Sequence, residues 1–105
     1  MTPLGVAEIR QTETVFNALA HHQRRQILLV LRFRGGAMTA GQIAERFSCS
    51  WPTTTRHLKI LERANLLRVR KRGRERVYEL DLISLRTTVG KWLEWFDNAK
   101  RISGR

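Results

Sequence analysis

The chain has 105 residues, enough for one domain with a modest core and too few for two. Lysine and arginine total 20 against nine acidic residues, a formal charge of +11, so the expected partner is a polyanion, with an anionic membrane surface left open by charge alone. No apolar run reaches the length of about 18 residues that suggests a spanning helix, Glu8 and Glu13 interrupt the N-terminus where a signal-peptide core would lie, and the single cysteine, Cys49, cannot form an intrachain disulfide; a cytoplasmic protein with no membrane partner is expected.

Residues 1–9 are weakly patterned and read as a loose arm or the start of a helix. From Thr12 to Ala20 a helix is predicted with Val15, Phe16 and Leu19 on one side, and His21-His22-Gln23 marks a break. A second helix runs from about Gln23 to Phe33, with Ile27, Leu28, Leu31 and Val30 inward and Arg24, Arg25 and Arg32 outward, until Gly35-Gly36 stops it. Thr39 and Gln42 have the spacing of a capping box for a helix over Ala40–Phe47, whose Ile43, Ala44 and Phe47 face the core. Gly41 weakens that helix and permits close backbone contact.

Only Ser48-Cys49-Ser50 separates it from the next helix, the spacing of a helix-turn-helix. Ser50 is a good N-cap, Pro52 is tolerated in a first turn, and Asn65 is a reasonable C-cap. Thr54, Leu58 and Leu61 form the inner stripe, leaving Trp51, Pro52, Thr55, Arg56 and Lys59 outside. Three consecutive threonines are poor helix formers, yet their hydroxyls suit a helix lying in a DNA groove.

Leu66–Arg72 and Arg76–Leu80 read as two strands joined at Gly73, with Leu67 and Val69 on one face and Val77 and Glu79 opposite Arg76, Tyr78 and Leu80. Arg68, Arg70, Lys71, Arg72, Arg74 and Arg76 make this hairpin strongly basic. The predicted fold is mainly α with a β-hairpin wing: a winged helix-turn-helix of about five helices and a two-stranded wing, in one domain over 1–105. Asp81 caps a last helix, about Leu82 to Arg101, whose Leu85, Val89, Trp92 and Phe96 step by four, three and four along a single face, with Trp95 displaced. That apolar surface exceeds what a small core can absorb, so a homodimer is predicted through the first and last helices (about 10–20 and 82–101), with Val15, Phe16, Leu19, Leu85, Val89, Trp92 and Phe96 at its interface. The alternative is a monomer that folds its last helix over its own core.

From Val15 to Trp92, and most clearly from Ile43 to Asp81, the chain resembles the ArsR/SmtB-like winged-helix bacterial regulators. The matching stretches are Phe16-Asn17-Ala18-Leu19-Ala20 with Arg24-Arg25-Gln26-Ile27-Leu28, then Thr55-Arg56-His57-Leu58-Lys59-Ile60-Leu61, and Gly73-Arg74-Glu75-Arg76-Val77-Tyr78-Glu79-Leu80. The resemblance implies a dimeric, often autoregulatory repressor that binds an operator. It places Pro52, Thr53, Thr55, Arg56 and His57 where the family's recognition helix meets DNA, and Arg72–Arg76 at the tip of the wing. His57 has a second, structural reading at the edge of the buried face. The family's metal sensors carry a cysteine pair before the recognition helix, or aspartate and histidine ligands on the last helix. Neither pattern occurs in this sequence, so no metal and no cofactor is expected. Cys49, at a helix N-terminus among basic residues, is read as an inert turn residue with a thiol redox switch as the alternative.

The expected mechanism has two terms. The wing cations, with Arg56 and Lys59, neutralise phosphates, while Thr53, Thr55 and Arg56 read base edges. A two-fold dimer would read an inverted repeat in double-stranded DNA. An effector-responsive regulator, with an organic ligand or thiol redox as its trigger, and a non-regulatory nucleic-acid-binding winged helix remain as alternatives. No coherent catalytic constellation is present in the sequence, and no enzyme is expected.

Overall fold

The computed structural model describes residues 5–103, with side chains described through residue 97. Residues 1–4 of the expected arm lie outside it. The element order is α1 (Val6–Leu19), α2 (His22–Phe33), β1 (Ala37–Thr39), α3 (Ala40–Phe47), α4 (Trp51–Arg63), β2 (Leu67–Arg72), β3 (Glu75–Leu80) and α5 (Leu82–Ser103). The expected winged helix-turn-helix is present, with corrections at its edges.

The first helix starts earlier than its apolar pattern, at Val6. Gly5 is extended there, and its N–H donates to Glu8 Oε1 at 3.4 Å, satisfying one exposed donor of the first turn. The predicted break at 21–23 narrows to Ala20-His21, because His21 is itself the N-cap of α2: its Nδ1 accepts from the Gln23 N–H at 3.2 Å. The Thr39–Gln42 box forms as predicted, with reciprocal bonds of 2.9 and 3.1 Å. Ser50 caps α4. The C-cap is Ala64, one residue before the predicted Asn65. Asn65 takes the left-handed conformation (φ +62°), its N–H donates to Glu62 O, and Leu66 N–H donates to Leu61 O, closing the helix as a Schellman motif.

The two-stranded wing is present as β2 and β3, and its sheet has a third, unexpected strand. β1 pairs antiparallel with β3 (Met38 opposite Tyr78), giving the order β1-β3-β2, and Leu80 N–H donates to Gly36 O at 2.8 Å beyond the ladder. Three residues are too few for any alternation to be read, and their partner lies some forty positions away, so nothing local announces this strand. The β2–β3 register (Leu67 opposite Leu80, Val69 opposite Tyr78, Lys71 opposite Arg76) confirms the predicted inner face.

The core collects Val15, Leu31, Ile43, Leu58, Leu61 and Leu66, all essentially without exposure. Val15, assigned to a dimer interface on sequence, is thereby corrected: it is fully buried within its own chain. Leu19, Leu85 and Val89 also pack against this core, so the N-terminal half of α5 folds back on its own subunit. Beyond it, Trp92 meets Phe16 edge-to-face at 4.9 Å and Phe96 at the same distance, and these rings climb out of the core to 37% and 58% exposure.

Leu61→Ala is expected to lower unfolding stability by about 2–5 kcal/mol, because a rigid, fully packed site closes poorly around a cavity. Thr39→Ala, which removes one cap, should cost about 0.5–2 kcal/mol. Urea denaturation of the two variants side by side checks both values and their order.

Candidate nucleic-acid interface

The tight turn between α3 and α4 is held by local chemistry. Ser48 closes α3 in the left-handed conformation (φ +52°), and the Cys49 thiol, half-buried, donates to Phe47 O at 3.5 Å. Ser50 Oγ accepts from the Thr53 N–H at 3.3 Å and donates to Thr53 Oγ1 at 3.0 Å, so the Thr53 hydroxyl is shared with the cap. Thr54, Leu58 and Leu61 point inward as predicted, while Trp51, Pro52, Thr53, Thr55, Arg56 and Lys59 are exposed.

His57 departs from its assignment as a DNA contact. It is only 5% exposed, its Nδ1 lies 3.3 Å from Arg24 Nη1, and its ring tilts against His21 at 4.6 Å. This enclosure and the contact with Arg24 favour the structural reading over the DNA contact. Arg24 is corrected with it. Rather than facing outward, its guanidinium donates to Ala18 O (2.7 Å) and Asn17 O (3.2 Å) at the C-terminus of α1, where a cation meets the negative end of the helix. Arg25 does the same for Leu19 O at 2.8 Å.

The wing cations divide by face. Arg68, Arg70 and Arg72 stand on the outer face of the sheet, each beside a carboxylate: Asp81 at 3.6 Å, Glu79 at 3.1 Å and Glu75 at 3.7 Å. Lys71 and Arg76 are cross-strand neighbours on the inner face, and no ion pair engages either of them, or Arg74, among the described residues. Between the wing and α4 opens a cleft of about 550 Å³. Trp51, Thr55 and Lys59 border it on the helix side and Arg74, Glu75 and Arg76 on the wing side, three cations and one carboxylate over a floor that includes Leu58 and Tyr78. A second depression of about 400 Å³ lies on the other flank of α4, beside Pro52, Arg56, Lys59 and Arg63. Thr55 and Lys59 border both, and so form the ridge of the helix. Arg63, absent from the residues expected on sequence, shares the helical spacing of Pro52, Arg56 and Lys59 and so lies on the same stripe. Gly41 is not needed for close approach: a Cβ there would stand 3.9 Å from the Trp51 ring, an ordinary contact.

The helix-turn-helix also recurs in known proteins. The transcriptional repressor SdpR of Bacillus subtilis is 38% identical over 84 residues, covering 80% of this chain and 90% of that one. The crystal structure of an ArsR family transcriptional regulator, RHA00566, superposes with a TM-score of 0.77 at 27% identity, covering 100% of this chain and 99% of the other. The chain belongs to the ArsR family of winged helix-turn-helix transcriptional regulators. A family model described as a helix-turn-helix domain matches residues 19–70. The homodimeric winged helix-turn-helix DNA-binding domain of Mb0332 from Mycobacterium bovis shares the fold at a TM-score of 0.69 and 22% identity, covering 100% of this chain and 96% of that one.

This ArsR-family chain is therefore a DNA-binding transcriptional regulator. Among the described residues, no group of three or more histidine, cysteine, aspartate or glutamate side chains is arranged to hold a metal, and no helix is long and apolar enough to cross a membrane.

The division of the wing predicts unequal salt effects. Arg76→Ala should reduce the slope of log affinity against log salt by about 0.9, the value of one lost phosphate contact, whereas Arg68→Ala should change it by less than about 0.3. Titration of duplex DNA by anisotropy at several salt concentrations checks the difference.

Proposed function

We propose that the protein is a cytoplasmic homodimeric repressor that binds an inverted repeat in double-stranded DNA and occludes a promoter. The observation that carries this reading is the exposed row of α4, Thr55, Arg56 and Lys59, set beside the cationic cleft of the wing on a chain of charge +11. Arg56 is the side chain suited to a bidentate pair with guanine, and Thr55 offers a methyl and a hydroxyl to neighbouring bases. Thr53, Trp51 and Pro52, at the start of the helix, and Arg63, further along, would flank them. Lys59, Lys71, Arg74 and Arg76 would neutralise phosphates. Arg68, Arg70 and Arg72, already beside carboxylates, would contribute chiefly to the long-range field. Repression as the outcome is supported by the name of the Bacillus relative.

The dimer reading is supported by unspent apolar surface. Trp92, Leu93 and Phe96 on α5 and Val6 and Ile9 on α1 are exposed, and α1 and α5 already touch through Phe16 and Trp92. The interface expected on sequence thus loses Val15 and gains Val6, Ile9 and Leu93, with Leu19, Leu85 and Val89 supporting it from beneath. Joining two subunits across this face would bury the aromatic ladder and hold two copies of α4 at a fixed separation, as half-sites about one helical turn (34 Å) apart require. The homodimeric state of the Mycobacterium domain agrees with this arrangement.

Selection from a random duplex library at moderate salt should enrich a palindrome, and Arg56→Ala should cost about 1–3 kcal/mol and relax the preference at one position of each half-site. If no motif emerges, or Arg56→Ala weakens all duplexes equally, the specific-repressor reading fails. Sedimentation tests the assembly: Phe96→Glu, which places a charge in an apolar interface, should shift the wild-type dimer to monomer at micromolar concentration. An unchanged mass would remove α5 from the interface.

A further inference from the structure

The buried histidine of the recognition helix takes no part in the DNA contacts proposed above, yet it makes the most connected polar contact in the core. Arg24 spends its guanidinium on three acceptors: Asn17 O and Ala18 O at the end of α1, and Nδ1 of His57 in the middle of α4. A guanidinium has donors only. A hydrogen bond at this 3.3 Å contact requires a lone pair on Nδ1, which would place the His57 proton on Nε2 and leave the ring neutral. At the far end of α4 the same α1 makes a second tie, where Gln11 Nε2 donates to Ala64 O at 3.0 Å. The helix that would carry the dimer contact thus holds the helix that would read DNA directly at Ala64 and, through Arg24 of α2, at His57.

We propose that Arg24 is a positioning residue for the recognition helix, and that its hydrogen bond to neutral His57 makes specific operator recognition sensitive to mild acid. The proposal rests on the specific-operator reading. The charged and titratable groups near the ring are Arg24 and His21 from the start of α2 and Arg56 from α4 itself, with the helix-end carbonyls of α1 reached through Arg24. No carboxylate pairs with His57 among the described residues. A proton on Nδ1 turns the acceptor into a donor facing a donor and sets a cation against Arg24, so the tie to α1 opens. Burial first, then the charges of His21, Arg24 and Arg56, hold His57 below its ordinary value. The sign follows from linkage: a ring released from Arg24 takes up its proton near about pH 6.5, whereas the docked ring does so only at lower pH. The docked arrangement is fully favoured above about pH 6.5 and is lost progressively as pH falls below it. Phosphate attraction does not need α4 held at a set angle, but register on two half-sites does.

The experiment is a competition between the selected operator and a scrambled duplex from pH 8.0 to 5.5 at constant salt, for the wild type and for His57→Gln. Glutamine retains an amide acceptor for Arg24 and does not titrate. The wild-type ratio of specific to non-specific affinity should hold above neutrality and then fall, approaching about tenfold per pH unit as one proton opposes docking. The His57→Gln ratio should stay flat. A flat wild-type ratio, or the same fall in His57→Gln, overturns the proposal. Should His57→Gln fail to fold, nitrogen NMR of the wild-type ring at pH 7.5 decides: a proton on Nε2 supports the tie and one on Nδ1 refutes it. Failure to select any operator at pH 7.5 would instead sink the functional reading and leave the tautomer measurement standing as its own test.

Discussion

Everything that reaches toward DNA in this molecule depends on one constraint, the seating of α4 by its inner stripe. Leu58 and Leu61 are essentially without exposure, and each such side chain contributes about 1.5–3 kcal/mol when fully buried. Rotating α4 about its axis would expose them together, so their burial fixes which residues face out. The direction of Arg56 and Thr55 is thus decided by their apolar neighbours. Capping by Ser50 and the Schellman closure at Asn65 then fix where the helix begins and ends.

The wing follows a different logic. Its formal charge overstates the charge available at the helix-facing side. Ion pairs this exposed are worth little for stability, about 0–1 kcal/mol each. Their effect is on the field: they dampen it on the outer face of the sheet, whereas Arg74, Arg76 and Lys59, which border the cleft with Glu75, enter no ion pair among the described residues. A hairpin with the same composition and no carboxylates at 75, 79 and 81 would attract polyanions from both faces.

Much of this was legible from residue order. The caps at Thr39 and Ser50, the inner stripe of α4 and the strand faces each rest on short spacings that carry their own cause, and they appear where the spacings place them. The departures involve partners distant in sequence. β1 exists because β3 offers it a free edge. Arg24 looks like a surface residue in a helical wheel, yet it turns to the end of α1 because the bend at Ala20-His21 brings unsatisfied carbonyls within reach. His57 reads on sequence as a DNA contact, with a structural role as the alternative, because a wheel cannot show that Arg24 covers the rim of the buried face. Val15 and Phe16 adjoin in the chain but diverge in fate, one into the core and one onto Trp92, and only packing separates them.

The third strand has a mechanical consequence. Because β1 leads directly into α3 and is hydrogen-bonded to β3, the wing is anchored at its root to the same segment that opens the helix-turn-helix. The root of the wing at Val77–Glu79 is thereby tied to the helix-turn-helix, while the tip at Arg74–Arg76, which borders the cleft, extends past β1. A duplex lying between α4 and a wing tied in this way would take up part of any misfit in its own groove width and bend, and the elastic cost of doing so varies with base sequence. Flexible pyrimidine–purine steps would conform cheaply and stiff tracts would resist. Base pairs that no side chain touches would then still influence where the protein settles.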